Sequence, residues 1–206
     1  MLPLREGRPA VDAQSRRHGA LVFARKRKAP ARIALINGHP DPRPERFCAA
    51  LCAAYAEGAN AAGLQMRALT LGAVCDFAAP DTAPRLEATP LERAYEILDW
   101  ADQFTIVFPL WLDGPPEPLH RFFAGWTRHS VAAGCIEPRA RKARLVVTMA
   151  MPAFAHRALT RRTGGMIALP GIFRADLNYI GSIDAVSAEQ RAASLDDLRK
   201  LGARGE

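Results

Sequence analysis

Short apolar runs alternate with longer stretches of helical periodicity from residue 31 onward, and this alternation restricts the fold more than any other feature. The runs at 32–36, 104–108 and 144–148 are too short for helices, and their continuous apolar character is typical of strands buried on both faces. Two further strands are predicted at 64–69 and 177–180. Such strands belong to a parallel sheet, in which helices must form the crossover connections.

The first helix is predicted to begin near Pro44 and to end at Gly63, a typical C-terminal stop. Phe47, Leu51 and Tyr55 follow one another at intervals of four residues, so they lie on one face of this helix.

Capping boxes at 89–92 and 187–190 predict the starts of two later helices. The second of these is expected to end at Gly202, and another helix is predicted at about 117–127. The segment 72–88 is longer than a simple connection and is expected to cover part of the molecule.

The resulting order is β-α-β-α-β-α-β-(irregular)-β-α. Right-handed crossovers favour a doubly wound α/β sandwich with helices on both faces and a five-stranded parallel sheet of order 2-1-3-4-5. In that order a ligand crevice lies at the carboxyl ends of the first and third strands.

The positive charge of the chain is concentrated in a terminal segment. Residues 1–30 carry eight basic and two acidic side chains, a net +6 of the total +7. We therefore predict a basic, disordered tail at 1–30 and one near-neutral domain at 31–206, with no nucleic-acid partner. Two other interpretations of the tail stay open: electrostatic association with acidic membrane lipid or nucleic acid, and an organelle-targeting peptide.

The four cysteines form no C-x-x-C pair, so no metal site is predicted from them. They are Cys48, Cys52, Cys75 and Cys135. The sequence contains no apolar run of membrane-spanning length and no recognisable secretory signal, and free thiols are typical of a reducing compartment. We therefore expect a cytoplasmic protein.

The crevice rule directs attention to three loops, at 38–46, 109–116 and 148–156. The first leads into a helix start, where backbone N–H groups favour an anion, and Arg43 and Arg46 can add charge-assisted bonds to a phosphate. It contains neither a Walker A motif nor G-x-G-x-x-G, so it suits the single phosphate of a mononucleotide such as FMN better than ATP. A stiff turn with surface arginines is the alternative interpretation.

The second loop continues an apolar strand with Trp111, Gly114 and two prolines, which predicts a rigid ledge of low polarity. A planar ring can lie against such a ledge while backbone amides meet its polar edge, although an ordinary covered strand end has the same composition. The third loop is uninformative by itself.

These motifs together resemble the flavodoxin-like NAD(P)H:quinone oxidoreductases over residues 31–203. The strongest parts are Ile36-Asn37-Gly38-His39-Pro40-Asp41-Pro42 with Phe47 after it, Phe108-Pro109-Leu110-Trp111 with Gly114-Pro115-Pro116 after it, and Arg144-Leu145-Val146-Val147-Thr148. The resemblance implies a flavodoxin-like fold, a flavin cofactor (FMN or FAD), NAD(P)H as hydride donor, a quinone-like acceptor and a homodimer.

The resemblance also implies which residues hold the flavin. The phosphate would be approached by His39, Arg46, Phe47 and Cys48. One side of the ring would lie on Pro109, Leu110, Trp111, Leu112 and Gly114, and the other on Thr148, Met149 and Ala150.

The chain departs from the family pattern in several places. Arg46 and Cys48 stand where a small hydroxyl and an amide are common, and Asp113 places a carboxylate beside the ledge. The stretch 151–174 looks shortened, which leaves His156 as the candidate catalytic residue on the acceptor side.

Other functions stay open at this stage. The same pocket suits reduction of azo, nitro or free-flavin substrates, and some relatives are ancillary subunits of potassium efflux systems, so a regulatory subunit at a membrane transporter is a further alternative. A one-electron carrier is disfavoured, because such carriers are usually acidic and the domain here is near neutral.

Overall fold

A computed structural model describes most of the chain after the basic segment. The described residues are 31–74, 89–134, 141–156, 167–172 and 175–206. The predicted tail at 1–30, most of the 72–88 segment, and Cys75 and Cys135 lie outside them.

Five parallel strands form one sheet. They are β1 (Ile33–Asn37), β2 (Met66–Thr70), β3 (Gln103–Pro109), β4 (Lys142–Thr148) and β5 (Ala175–Ile180). Their order in the sheet is β2-β1-β3-β4-β5, which confirms the predicted 2-1-3-4-5 arrangement.

The described helices connect and cover these strands. They are α1 (Phe47–Ala61), α2 (Leu71–Val74), α3 (Pro90–Trp100), α4 (Glu117–Ala132) and α5 (Ala188–Arg204). Among the described residues, no helix has both the length and the hydropathy to cross a bilayer.

Two hydrophobic cores lie on opposite faces of the sheet. Alternate residues of a strand point to opposite faces, so Leu35 and Val107 pack with α1 and α5, whereas Ile36 and Phe108 pack with α3 and α4. All seven residues of β3 are buried, as expected for a central strand covered on both sides.

The α3–α4 face is built on aromatic side chains. Phe104 of β3 meets Trp126 of α4 edge-on, with ring centroids 5.6 Å apart, and Phe122 and Phe123 extend this packing. The Trp126 indole N–H donates to Asp99 at 2.9 Å, so the polar end of this buried ring is satisfied.

The opposite face depends on small residues between α1 and α5. A Cβ at Gly58 would overlap the backbone carbonyl oxygen of Arg199, and one at Gly202 would overlap that of Tyr55. The two helices therefore touch backbone to backbone, which holds α1 in a fixed position over β1 and β3.

The observed helix boundaries agree with the predicted ones where a capping box marks the start. They differ from the predicted ones where contacts with distant residues determine the end of the helix. Both predicted capping boxes are present, at the starts of α3 and α5. The last helix, however, continues through Gly202 and ends before Gly205, which has the left-handed φ of +64°. Gly202 is needed for close contact with α1, so it does not act as a stop.

Two other predicted boundaries were early by two or three residues. α1 begins at Phe47, because prolines at 42 and 44 keep the preceding residues in a turn closed by the Arg46 N–H donating to the Arg43 carbonyl at 3.2 Å. β2 begins at Met66 rather than at residue 64.

Candidate functional site

The three predicted loops follow neighbouring strands at one edge of the sheet. They leave the carboxyl ends of β1, β3 and β4, which lie side by side. Backbone bonds join them: Gly38 N–H donates to the Val107 carbonyl at 2.8 Å, and Leu110 N–H donates to the Thr148 carbonyl at 2.7 Å. The loops therefore form one continuous rim at the predicted crevice.

The start of α1 is open. Arg46 occupies the N-cap position in an extended conformation, its side chain makes no capping bond, and the first turn contains no acidic residue. A helix start carries backbone N–H groups without intrahelical partners and the positive end of the helix dipole. This end of α1 can therefore accept an anion.

Asp41 links both arginines of the first loop. Its carboxylate accepts from Arg43 Nε at 2.9 Å and Nη2 at 2.7 Å, and from Arg46 Nε at 2.7 Å. These bonds hold the pKa of Asp41 well below its usual range, with the side-chain bond to Arg43 the largest cause. The three side chains carry a net charge of +1 next to the open helix start.

His39 is anchored to the same loop through its ring. Its Nδ1 accepts from the Asp41 N–H at 2.9 Å, and its own backbone N–H donates to Asn37 Oδ1 at 3.1 Å. Burial and the nearby positive charge of Arg46 lower the pKa of His39, which favours the neutral ring. The same Nδ1 lies 3.1 Å from the Asp41 carbonyl oxygen, so the Asp41 backbone holds this side of the ring and Nε2 is the nitrogen left for a ligand.

The next two predicted phosphate-site residues lie beneath the loop. Cys48 is buried, its Sγ lies 3.5 Å from Thr148 Oγ1, and burial raises the pKa of its thiol. Phe47 is half-buried beneath the guanidinium of Arg191, which lies 5.1 Å from the ring centroid. Cys48 therefore connects α1 to β4, and its backbone N–H is the group that the open helix start can offer.

The second loop forms an exposed apolar ledge. Trp111 and Gly114 exchange two backbone hydrogen bonds, of 3.0 and 3.1 Å, which close a tight turn. At its tip Leu112 is 97% exposed and Trp111 is 51% exposed, whereas Pro109 is buried and supports the turn. Large apolar side chains in this position are typical of a ligand or partner surface.

Asp113 is also exposed, so its carboxylate lies in solvent on the ledge turn. The sequence placed this acid beside the ledge as a departure from the family pattern, and its closeness to a bound flavin stays a prediction.

The third loop is braced from β5. Thr148 and Met149 are buried, and Ala150 is exposed. The Ile183 N–H donates to the Met149 carbonyl at 3.2 Å, and the Ser182 N–H donates to the Met151 carbonyl at 3.0 Å. The loop is therefore fixed from behind, because the Met149 N–H donates to the Ile180 carbonyl at 3.0 Å and its carbonyl accepts from Ile183.

His156, the predicted acceptor-side residue, is the last residue of the third loop. It is buried, and its ring centroid lies 5.1 Å from that of Tyr179 on β5. The structure thus pairs a histidine at the end of the third loop with a tyrosine of β5. Residues 157–166 and 173–174 of the shortened stretch lie outside the described residues.

Sequence reasoning gave no role to three residues of this region: Asn37, Asp41 and Tyr179. Asp41 had a detectable signal, an acid two residues before one arginine and five before another. Tyr179 had none, because it reaches His156 only through the pairing of β4 with β5. Among the described residues, no cluster of three His, Cys, Asp or Glu side chains is suited to a metal ion.

Several solved structures share this architecture. The NAD(P)H:quinone oxidoreductase of Methanothermobacter marburgensis superimposes with a TM-score of 0.63 at 15% identity, covering 86% of this chain and 97% of that one. A putative quinone reductase of Klebsiella pneumoniae gives 0.58 at 19% identity, covering 83% of each chain.

A third structure is an FMN-dependent NADH-azoreductase of Bacillus anthracis in complex with FMN. It gives a TM-score of 0.55 at 11% identity, covering 84% of this chain and 98% of that one. At these identities the similarity establishes the fold. No curated protein matches the sequence.

The family model described as flavodoxin-like fold matches residues 31–201, which include every strand of the sheet and all three rim loops. The chain belongs to the flavodoxin-like fold family, as its three motifs predicted.

Proposed function

We propose that this protein is an NAD(P)H-dependent flavin oxidoreductase that reduces quinones or similar two-electron acceptors. The observation that carries the proposal is the single rim formed by three loops, with an open, arginine-flanked helix start at one end and an apolar ledge beside it. A phosphorylated planar ring needs a donor-rich end and a flat apolar surface within one crevice.

The residues present fit a flavin mononucleotide. The start of α1 offers unpartnered N–H groups, and Arg43 and Arg46 supply charge-assisted donors for a phosphate. His39 has its Nδ1 bound within the loop, so Nε2 is the ring nitrogen that can face an anion, and we propose that it carries the proton when a phosphate binds. This donor set suits one terminal phosphate, and we therefore propose FMN.

The ring is proposed to lie between the second and third loops. Leu110, Trp111 and Leu112 provide the apolar surface, and the backbone of Thr148, Met149 and Ala150 provides the opposite side. A flavin held there would supply the redox chemistry, which is hydride transfer from NAD(P)H to the acceptor.

The chain's own contribution is positioning and exclusion of water, and such a reaction needs no strong acid or base from the protein. His156 and Tyr179 are proposed to face the acceptor side, where their polar groups can orient a carbonyl oxygen.

The protein is further proposed to act in the cytoplasm as a homodimer. Leu112 and Phe154 are 97% and 77% exposed on two adjacent rim loops, and contact with a second copy would remove this apolar surface from water. Sedimentation velocity should give a dimer, and Leu112→Glu should shift it to monomer. A native monomer would contradict this part of the proposal.

An anaerobic titration tests the function. The FMN-supplemented protein should retain flavin through gel filtration, lose its flavin absorbance when NADPH or NADH is added, and regain it when benzoquinone follows. Recovery with an azo dye but not with a quinone would reassign the acceptor. Absence of retained flavin would contradict the proposal and favour a regulatory subunit, which co-purification with a membrane transporter would test.

A further inference from the structure

One residue, Asp41, contacts every proposed side-chain donor of the first loop, through its backbone for His39 and through its carboxylate for the two arginines. The backbone N–H of Asp41 fixes the ring of His39, and its carboxylate binds Arg43 and Arg46. These three are the side chains assigned to the phosphate above. Asp41 is therefore the common hydrogen-bond partner of these three residues.

The bonds leave the arginines free to act on a ligand. Arg43 and Arg46 each use Nε and Nη2 toward Asp41, so Nη1 of each guanidinium has no bond to the described residues. A guanidinium carries five N–H donors, and one edge can bind a carboxylate while the other meets a phosphate. The carboxylate therefore orients both arginines and leaves Nη1 of each guanidinium available as a donor.

Both arginines need such a partner. Their side chains are 65% and 44% exposed, so packing does not hold them in place. A free arginine side chain has many rotamers, and part of this conformational entropy is lost each time it binds a ligand. Fixing the side chains beforehand lowers this cost, as outer partners do for metal ligands.

We propose that Asp41 is a positioning residue for the phosphate site: it touches no ligand, and it presents His39, Arg43 and Arg46 to the phosphate of a flavin mononucleotide. This inference rests on the proposed function and deepens it. It names the feature by which the loop distinguishes a phosphorylated flavin from one without the phosphate.

The test compares FMN with riboflavin, which has the same ring and no phosphate. Dissociation constants for both are measured by quenching of flavin fluorescence. Asp41→Asn should raise the Kd for FMN by about 10-fold, the lower end of the effect of removing an outer positioning partner. The Kd for riboflavin should stay within about twofold, because the ring surface does not involve Asp41.

A matched control is available on α5. Asp196 is an exposed carboxylate that, like the half-buried Asp41, pairs with two cations, Lys200 at 2.6 Å and Arg199 at 3.7 Å. Asp196→Asn removes the same charge away from the rim, and it should leave both dissociation constants unchanged.

A double-mutant cycle separates positioning from a general effect on the loop. As a single variant, Arg46→Gln should raise the Kd for FMN. The double variant with D41N should raise this Kd by less than the product of the two single fold-changes, because Asp41 acts partly through Arg46. Should the D41N chain fail to fold, Asp41→Glu gives the same test, since it keeps the charge and displaces the carboxylate.

The outcomes distinguish the two proposals. Equal affinity of the native protein for FMN and riboflavin would contradict the phosphate loop itself, and with it the proposed function as stated. If the native protein prefers FMN to riboflavin as proposed, and D41N keeps the same preference or binds FMN more tightly, only the role of Asp41 is overturned.

Discussion

Helices α1 and α5 pack against each other on the same face of the sheet, yet they begin in opposite ways. At the start of α5, Ser187 Oγ accepts from Gln190 N–H at 3.2 Å, and Gln190 Oε1 accepts from Ser187 N–H at 3.1 Å. At the start of α1 no side chain caps the backbone. A capping box closes the start of α5, whereas the start of α1 has no side-chain cap, as the proposed phosphate site requires.

The largest effect is expected when α1 is closed like α5. Arg46→Asp places a good capping residue at the N-cap and a negative charge where a phosphate should bind. We expect the Kd for FMN to rise by about 100-fold, since a charged hydrogen bond worth about 1.5–3 kcal/mol is lost and repulsion is added. Fluorescence titration measures the affinity, and the melting temperature of the ligand-free protein should be unchanged or higher.

Arg93→Asp is the matched control for this variant, because it makes the same charge change at an exposed position of α3. Equal loss of FMN affinity in both variants would show that overall charge, and not the helix start, determines binding.

Breaking the contact between the two helices should have the next largest effect. Gly58→Ala places a methyl group against the backbone of Arg199, and overpacking of this kind costs about 2 kcal/mol. Urea unfolding should show the loss, while Asn60→Ala, at an exposed position of α1, should show none. A neutral Gly58→Ala would mean that α1 and α5 are not in backbone contact.

Opening the start of α5 should have a smaller effect, confined to stability. Ser187→Ala removes one capping partner and should lower the free energy of unfolding by about 1 kcal/mol. The Kd for FMN should not change, because this end of α5 is not assigned to the site. A loss of FMN affinity without a loss of stability would reverse the roles assigned to the two helix starts.

The smallest effect is expected from His39. Its pKa is lowered in the folded chain, so the unfolded chain binds a proton first as the pH falls through about 6.5. Stability of the ligand-free protein should therefore decline between pH 7.5 and 5.5, and His39→Gln should reduce the decline. An identical pH dependence in the variant would exclude His39 as its source.

The contrast between the helix starts also shows what the sequence predicts well. The capping boxes at 89–92 and 187–190 are local, so residues three apart suffice to identify them, and the apolar runs gave the strand order through general rules of chain connection. Gly202 was misread as a helix end, because its role depends on α1, which lies far away in the chain.

The candidate site also has features that local sequence predicts and features that depend on distant contacts. The three rim loops could be placed from the order of strands, and the first loop could be read as an anion site from its arginines. The proximity of Asp41 to both arginines is visible in the sequence, but the bonds that they form depend on the folded loop. The pairing of His156 with Tyr179 could not be predicted, because it depends on the pairing of β4 with β5.

A crystal structure of the protein soaked with FMN tests the central claim most directly. The account predicts electron density for the phosphate at the start of α1, between Arg43, Arg46 and Nε2 of His39, with the ring against Leu110 and Trp111. Phosphate density elsewhere, or FMN bound with its ring away from the second and third loops, would contradict it.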